Sequence, residues 1–157
     1  MPKGLKNRAF GVILCKTAVN MYMTANMQKP AVPEIRPSNE KQSLAMQGFF
    51  GIMERWAVDN ATARAILGSP PERTFFDWKR GRVARLSNDT LRRIGYVAGI
   101  WKALQIVYSN PQHADSWISR PNRAFGGQAP LTRMAAGDVT DLAAVREYID
   151  AARSPWS

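Results

Sequence analysis

Cys15 and His113, the only cysteine and the only histidine, are where nucleophilic or metal chemistry would first be sought. One cysteine cannot close an intramolecular disulfide, and one Cys with one His cannot complete a four-ligand zinc site. Neither has a sequence neighbour that would activate it as a nucleophile. Asp138 and Asp141, three apart, come nearest to a paired-carboxylate acid and base, yet they are better placed to cap and charge the start of a helix. The sequence holds no phosphate-cradling glycine loop and no nucleophile motif. The expectation is a chain without catalytic residues, metal or cofactor.

The cations say more. Twenty-two Lys and Arg stand against twelve Asp and Glu, a formal net charge of +10 over 157 residues, which favours a polyanionic partner, nucleic acid first. The excess is local: residues 1–41 hold seven basic and two acidic side chains, residues 59–102 nine and four, and residues 103–157 five of each. That asymmetry suggests two jobs on one chain. Arg73, Lys79, Arg80, Arg82 and Arg85 crowd into one short segment. Arg73 and Thr74 lead it and are candidates for base edges, because a guanidinium can take a guanine by two parallel bonds. Lys79, Arg80, Arg82 and Arg85 trail it and are candidates for phosphate contacts, which set affinity without reading sequence. Phe76 is a candidate for a thymine methyl, or else a partly buried aromatic between helices. Asp77 would repel phosphate unless it pairs with Arg73 or Arg80, four before and three after it on a helix. A solvated basic face on a plain helical bundle is the competing account of the cluster.

Short helices must position these side chains. Residues 1–27 show little pattern and are expected either as a poorly ordered basic arm or as sequence upstream of the start the cell uses. Pro30, Pro33 and Pro37 make residues 28–37 an extended linker. From Ser38 or Asn39, with Gln42 as a capping-box partner, Met46, Phe49, Phe50, Met53 and Trp56 recur at three and four and predict a core helix. Asp59 caps a second helix over residues 60–67, which buries Ala61, Ala65 and Ile66 and is stopped by Gly68. Ser69 as cap, Pro70 at the first helical position and Glu72 completing S-x-x-E open a third, closed by Gly81, with Phe75 and Trp78 on its buried face. A longer fourth runs from Ser87 as cap to about Tyr108. Leu91, Ile94, Ala98 and Trp101 form its apolar stripe, with Val97, Leu104 and Tyr108 beside it, so it should pack on two sides.

Two short helices joined at Gly68-Ser69, supported by a helix before and a helix after, are the layout of a helix-turn-helix. One recognition helix reads few base pairs, so a dimer on half-sites about 34 Å apart is expected. No apolar run approaches the roughly 20 residues of a membrane span, and Lys16 cuts short the signal-like start, so a cytoplasmic protein without a membrane partner is expected.

The neutral last third has dense punctuation. Pro130 opens one short helix and Gly137 closes it; Leu142, Val145 and Ile149, with Tyr148 alongside, stripe another. A neutral surface rich in aromatics suits protein contact better than phosphate contact. Trp117 is either core or contact, and Gly126 and Gly127 either contact a partner or only free the backbone for a turn. Residues 148–156 are the favoured contact surface, since Trp156 has little internal core left to join, although a disordered tail would read the same.

The same residues form an ordered series, WxxxPNxxFGGxxPLxxMxxG, written as Trp117, Pro121-Asn122, Phe125-Gly126-Gly127, Pro130-Leu131, Met134 and Gly137, with VRxYID following at 145–150. The series resembles the toxin-binding domain of Xre/MbcA/ParS-type antitoxins, and TFFDWKRG at 74–81 resembles the same family's Xre-like helix-turn-helix. The resemblance implies an all-α chain, which after the basic arm and linker at 1–37 divides into an Xre-like helix-turn-helix bundle at 38–110 and a small helical toxin-binding domain at 111–157. It implies the antitoxin of a RES-Xre type II system. Such an antitoxin neutralises a RES-domain toxin, an NAD-consuming enzyme usually encoded next door, by masking the approach to its active site, and represses the shared operon through operator DNA. Carried onto this chain, the toxin contacts fall on Trp117, Asn122, Phe125, Gly126, Gly127, Tyr148, Asp150, Arg153 and Trp156, in a homodimer or a toxin–antitoxin hetero-oligomer. Two features depart from the pattern: Asp77, where many relatives carry a neutral or basic residue, and the long arm at 1–35. The alternative is a stand-alone helix-turn-helix regulator with a C-terminal dimerisation or ligand domain, which shares the DNA chemistry and differs in partner.

Overall fold

Met46, Phe49 and Met53 are buried along one side of the first helix, α1 (Asn39–Arg55), as their spacing requires; Ile52 joins them, and Trp56, the C-cap, is buried just beyond the helix. The computed structural model describes residues 38–153; the arm and linker at 1–37 and the tail residue Trp156 lie outside the described residues. The helices that follow are α2 (Asn60–Ile66), α3 (Glu72–Lys79), α4 (Asn88–Val107), α5 (Pro111–Trp117), α6 (Pro130–Met134) and α7 (Val139–Arg153), with a 3-10 turn at Arg123–Phe125. Among the described residues there is no strand, so the chain is all-α as expected.

Ser38, Asp59 and Ser87 precede their helices as expected, and one start, that of α3, differs. Gln42 is 3% exposed, and its Oε1 accepts the Leu86 amide at 2.8 Å, because a backbone N–H buried there needs an acceptor. Asp59 caps α2 as expected and accepts the Thr62 amide at 2.9 Å, but Ala63, three before Ile66 on the same side, is buried while Ala61 is exposed. Ser69 is not the cap of α3. Gly68 at φ +87° and Ser69 at φ +54° both turn the chain left-handed, and the Ser69 amide returns to the Arg64 carbonyl at 2.9 Å, so Ser69 belongs to the exit of α2. Two prolines follow. A residue before proline is pushed out of helical conformation, which excludes Pro70, so Pro71 becomes the N-cap and Glu72 the first helical residue.

Ser87 caps α4 and accepts the Thr90 amide at 3.0 Å. The buried side of α4 centres on Ile94, Val97, Ile100, Ala103 and Leu104; of the expected stripe, Ala98 is exposed and Leu91 and Trp101 are half-buried. The rotation follows from position, since α4 is the helix against which α7, α1 and α5 all pack. Helix α5 has no counterpart in the sequence reading. Asn110 caps it by accepting the Gln112 amide at 2.9 Å and the His113 amide at 3.4 Å, and Pro111 sits in its first turn. Buried apolar side chains from Met46 to Ile149 form one connected cluster around α4. No helix of the described residues is long and apolar enough to cross a membrane.

Candidate functional site

α3 is anchored by Phe75, which is fully buried. Phe50 of α1 meets its ring edge-on at 5.4 Å, and Phe76 does the same at 5.5 Å from within α3. Phe76 is half-buried and packs on the core. Arg73 is exposed on the first turn of α3 and Thr74 beside it is half-buried. At the other end Lys79 donates to Asn60 Oδ1 at 2.7 Å and so ties α3 back to the start of α2.

The short partner of Asp77 is neither Arg73 nor Arg80. Arg82 donates to its Oδ1 at 2.6 Å, while Arg80 lies at 3.8 Å. The Arg82 amide returns to the Asp77 carbonyl at 2.9 Å, and this turn folds the Arg82 guanidinium back over the helix end. That hydrogen bond, with the charges of Arg82, Arg73 and Arg80 behind it, holds the Asp77 carboxyl below the usual carboxylate range. Among the described residues, Arg73 and Arg85 make neither a hydrogen bond nor an ion pair, and their guanidiniums are open to a ligand.

A second cluster is built on the loop after α5. Asn122 clasps that loop: its side chain accepts the Ala124 amide at 2.9 Å, its carbonyl accepts the Phe125 and Gly127 amides at 3.0 Å each, and its own amide donates to the Gln128 carbonyl at 3.0 Å. Gly126 at φ +66° and Gly127 at φ +81° are successive left-handed residues, a conformation that side chains resist. The clasp sets Phe125 edge-on to Tyr148 of α7 at 5.2 Å, while Trp117 at the end of α5 stacks on the same ring at 6.1 Å. Tyr148 is held between them and remains 40% exposed. Farther along α7, Asp150 accepts from Arg146 at 2.5 Å and from Arg153 at 3.3 Å. Asp138 caps the start of α7 by accepting the Thr140 amide at 2.8 Å, which lowers its carboxyl from the ordinary value, and Asp141 pairs with Arg133 at 3.2 Å. Both carboxylates are thus occupied in shaping the helix start.

Residues 37–99 match the family of antitoxin Xre-like helix-turn-helix domains, and residues 103–154 match the antitoxin Xre/MbcA/ParS C-terminal toxin-binding domain. A relative, the uncharacterized protein y4oB of Sinorhizobium fredii (strain NBRC 101917 / NGR234), is 41% identical over 108 residues, which cover 69% of this chain and 83% of that protein. The chain belongs to the Xre/MbcA/ParS-type antitoxins. In this antitoxin the basic cluster from Arg73 to Arg85 lies within the helix-turn-helix match, and Trp117, Asn122, Phe125, Gly126, Gly127, Tyr148, Asp150 and Arg153 lie within the toxin-binding match.

α4 carries the border between the two matches, and one buried residue on it touches both sides. Arg93, 8% exposed, donates to Asp89 at 2.6 Å, to the Ile66 carbonyl at the end of α2 at 3.3 Å and to the Gly137 carbonyl before α7 at 2.9 Å. In the sequence Arg93 registers only as charge. Arg146 is not singled out there either, although its spacing of four from Asp150 within VRxYID is a readable signal.

Proposed function

We propose that this antitoxin neutralises a RES-domain, NAD-consuming toxin encoded beside it by covering the approach to the toxin's active site, and that it represses the shared operon by binding operator DNA through α3. The observation that carries the reading is Tyr148, exposed yet packed between Trp117 and Phe125. An aromatic already fixed in place buries a large apolar area on docking and loses little side-chain freedom, which is what the centre of a tight interface requires. Asn122, Gly126 and Gly127 shape the loop that aims Phe125 at Tyr148, and Asp150 and Arg153 supply polar groups on the same helix. Residues 111–157 are on this reading the neutralising unit, and the chemistry belongs to the toxin.

For DNA, Arg73 and Thr74 at the start of α3 serve base edges and Lys79, Arg80, Arg82 and Arg85 serve phosphates, in a unit spanning 38–110. Two copies would supply the paired half-sites, either as a homodimer or within a toxin–antitoxin hetero-oligomer. The test is co-expression of the full chain with the adjacent toxin, following growth, cellular NAD and co-purification. The expected result is rescue and a stable pair with the wild type, and loss of both in Tyr148→Ala with operator binding retained. If the wild type forms no pair and NAD falls regardless, the protein is a stand-alone regulator instead. A point substitution is preferable to a truncation at Tyr108, because removing α7 strips packing from α4.

A further inference from the structure

Arg92 and Tyr96, one turn apart on α4, and Arg146 on α7 line, with Gly95, a shallow and open cleft of about 380 Å³. Arg146 is held there in two ways. Its Nε donates to Asp150 at 2.5 Å, and its Nη1 lies flat on α4 at Gly99, where a Cβ would occupy the same space. A guanidinium fixed in this manner has given up its rotamer freedom before any ligand arrives. The Arg92 guanidinium and the Tyr96 hydroxyl, by contrast, make no hydrogen bond or ion pair among the described residues. No carboxylate lines the cleft, and Asp150, the partner of Arg146, is shared with Arg153. Two guanidiniums and a phenol hydroxyl line one depression without a carboxylate in its lining; Arg146 is already paired with Asp150, and Arg92 and Tyr96 are left for a ligand.

We propose that this cleft is a carboxylate-binding site that receives an acidic side chain of the toxin. The proposal rests on the toxin-binding reading above. A planar guanidinium matches a carboxylate through two parallel bonds, and the phenol supplies a third donor. The toxin is favoured over DNA as the source of the anion because Arg146, the guanidinium fixed in the cleft, lies within the toxin-binding match and no residue of α2 or α3 lines the cleft; Arg92, Gly95 and Tyr96 fall within the helix-turn-helix match, so DNA is the second arm of the test. The cleft and the aromatic contact then flank one helix.

The experiment uses the full-length chain and the purified toxin encoded beside it, titrated by calorimetry at low and moderate salt, with operator affinity and thermal unfolding measured on every variant. Arg92→Gln is expected to weaken toxin binding about tenfold, the worth of one charge-assisted hydrogen bond, and to reduce its salt dependence. Tyr96→Phe is expected to weaken it less, and Arg92→Lys to retain part of the affinity, with operator affinity and unfolding temperature unchanged throughout. Unaltered toxin affinity in Arg92→Gln and Tyr96→Phe, alongside its loss in Tyr148→Ala, would overturn the cleft proposal and leave the toxin-binding reading standing. A fall in operator affinity and its salt slope in Arg92→Gln, with toxin affinity intact, would make the cleft a phosphate site and equally overturn the proposal. No binding of toxin by the wild type would remove both.

Discussion

On the proposed DNA reading, Asp77 sets how much of the basic cluster is free for phosphate. Its carboxylate holds Arg82 at 2.6 Å and sits near Arg80, so two of the candidate phosphate ligands are partly neutralised before DNA arrives. Asp77→Asn is therefore predicted to tighten DNA binding and to steepen its salt dependence by about 0.9 log units for each additional phosphate neutralised. Arg80→Ala with Arg82→Ala should act in the opposite sense; filter binding over a salt series reads both. Helical spacing offers Arg73 and Arg80 as partners, and it cannot offer Arg82, which returns to Asp77 only because the chain turns after the helix ends. A pH dependence belongs to the same scale. Asp59 and Asp138 are lowered chiefly by backbone N–H donors, and Asp77 by Arg82, so each prefers its charged form more in the fold than in the unfolded chain. The stability they contribute is then complete above the unfolded carboxylate value of about 3.9 and is lost as pH falls through the lower folded values. A thermal midpoint that these three groups hold steady down to about pH 4, and that declines below it, is the expected profile.

Caps govern the elements. Ser87 and Asn110 each accept backbone amides that α4 and α5 leave unpaired, and Ser87→Ala and Asn110→Ala are each predicted to cost about 1 kcal/mol in urea unfolding. Asn110-Pro111 is as clear a written start as any in the chain, yet the residues beyond it offer no apolar stripe long enough to mark a helix. Ser69-Pro70 is the opposite case. It carries the expected letters of a capping box, and the second proline moves the true start to Glu72, a conflict between two local rules in which the restriction on a residue before proline prevails. The consequence for the site is small, since Arg73 and Thr74 remain in the first turn of α3. The stripe of α4 is legible as a wide apolar face but not in its rotation, because packing by α7, α1 and α5 together decides which residues are covered.

At the scale of the whole molecule, charge and residue order separate a basic middle from a neutral last third, and the family matches fall on either side of that border. What the residue series does not give is how the two parts meet. Arg93 reaches the carbonyls of Ile66 and Gly137, forty-four positions separating it from the latter, and Arg146 lies across Gly99; both are tertiary contacts that no local pattern encodes. On the proposed reading, DNA and toxin meet different surfaces of one connected core, and Tyr148 with its two aromatic neighbours is the neutralising surface. The direct measurement is toxin-catalysed loss of NAD in purified solution as full-length antitoxin is added, comparing the wild type with Arg73→Ala and Tyr148→Ala. Full inhibition by the wild type and Arg73→Ala, and strongly weakened inhibition by a folded Tyr148→Ala, is the predicted result. Equal inhibition by all three, or none by the wild type, would contradict it.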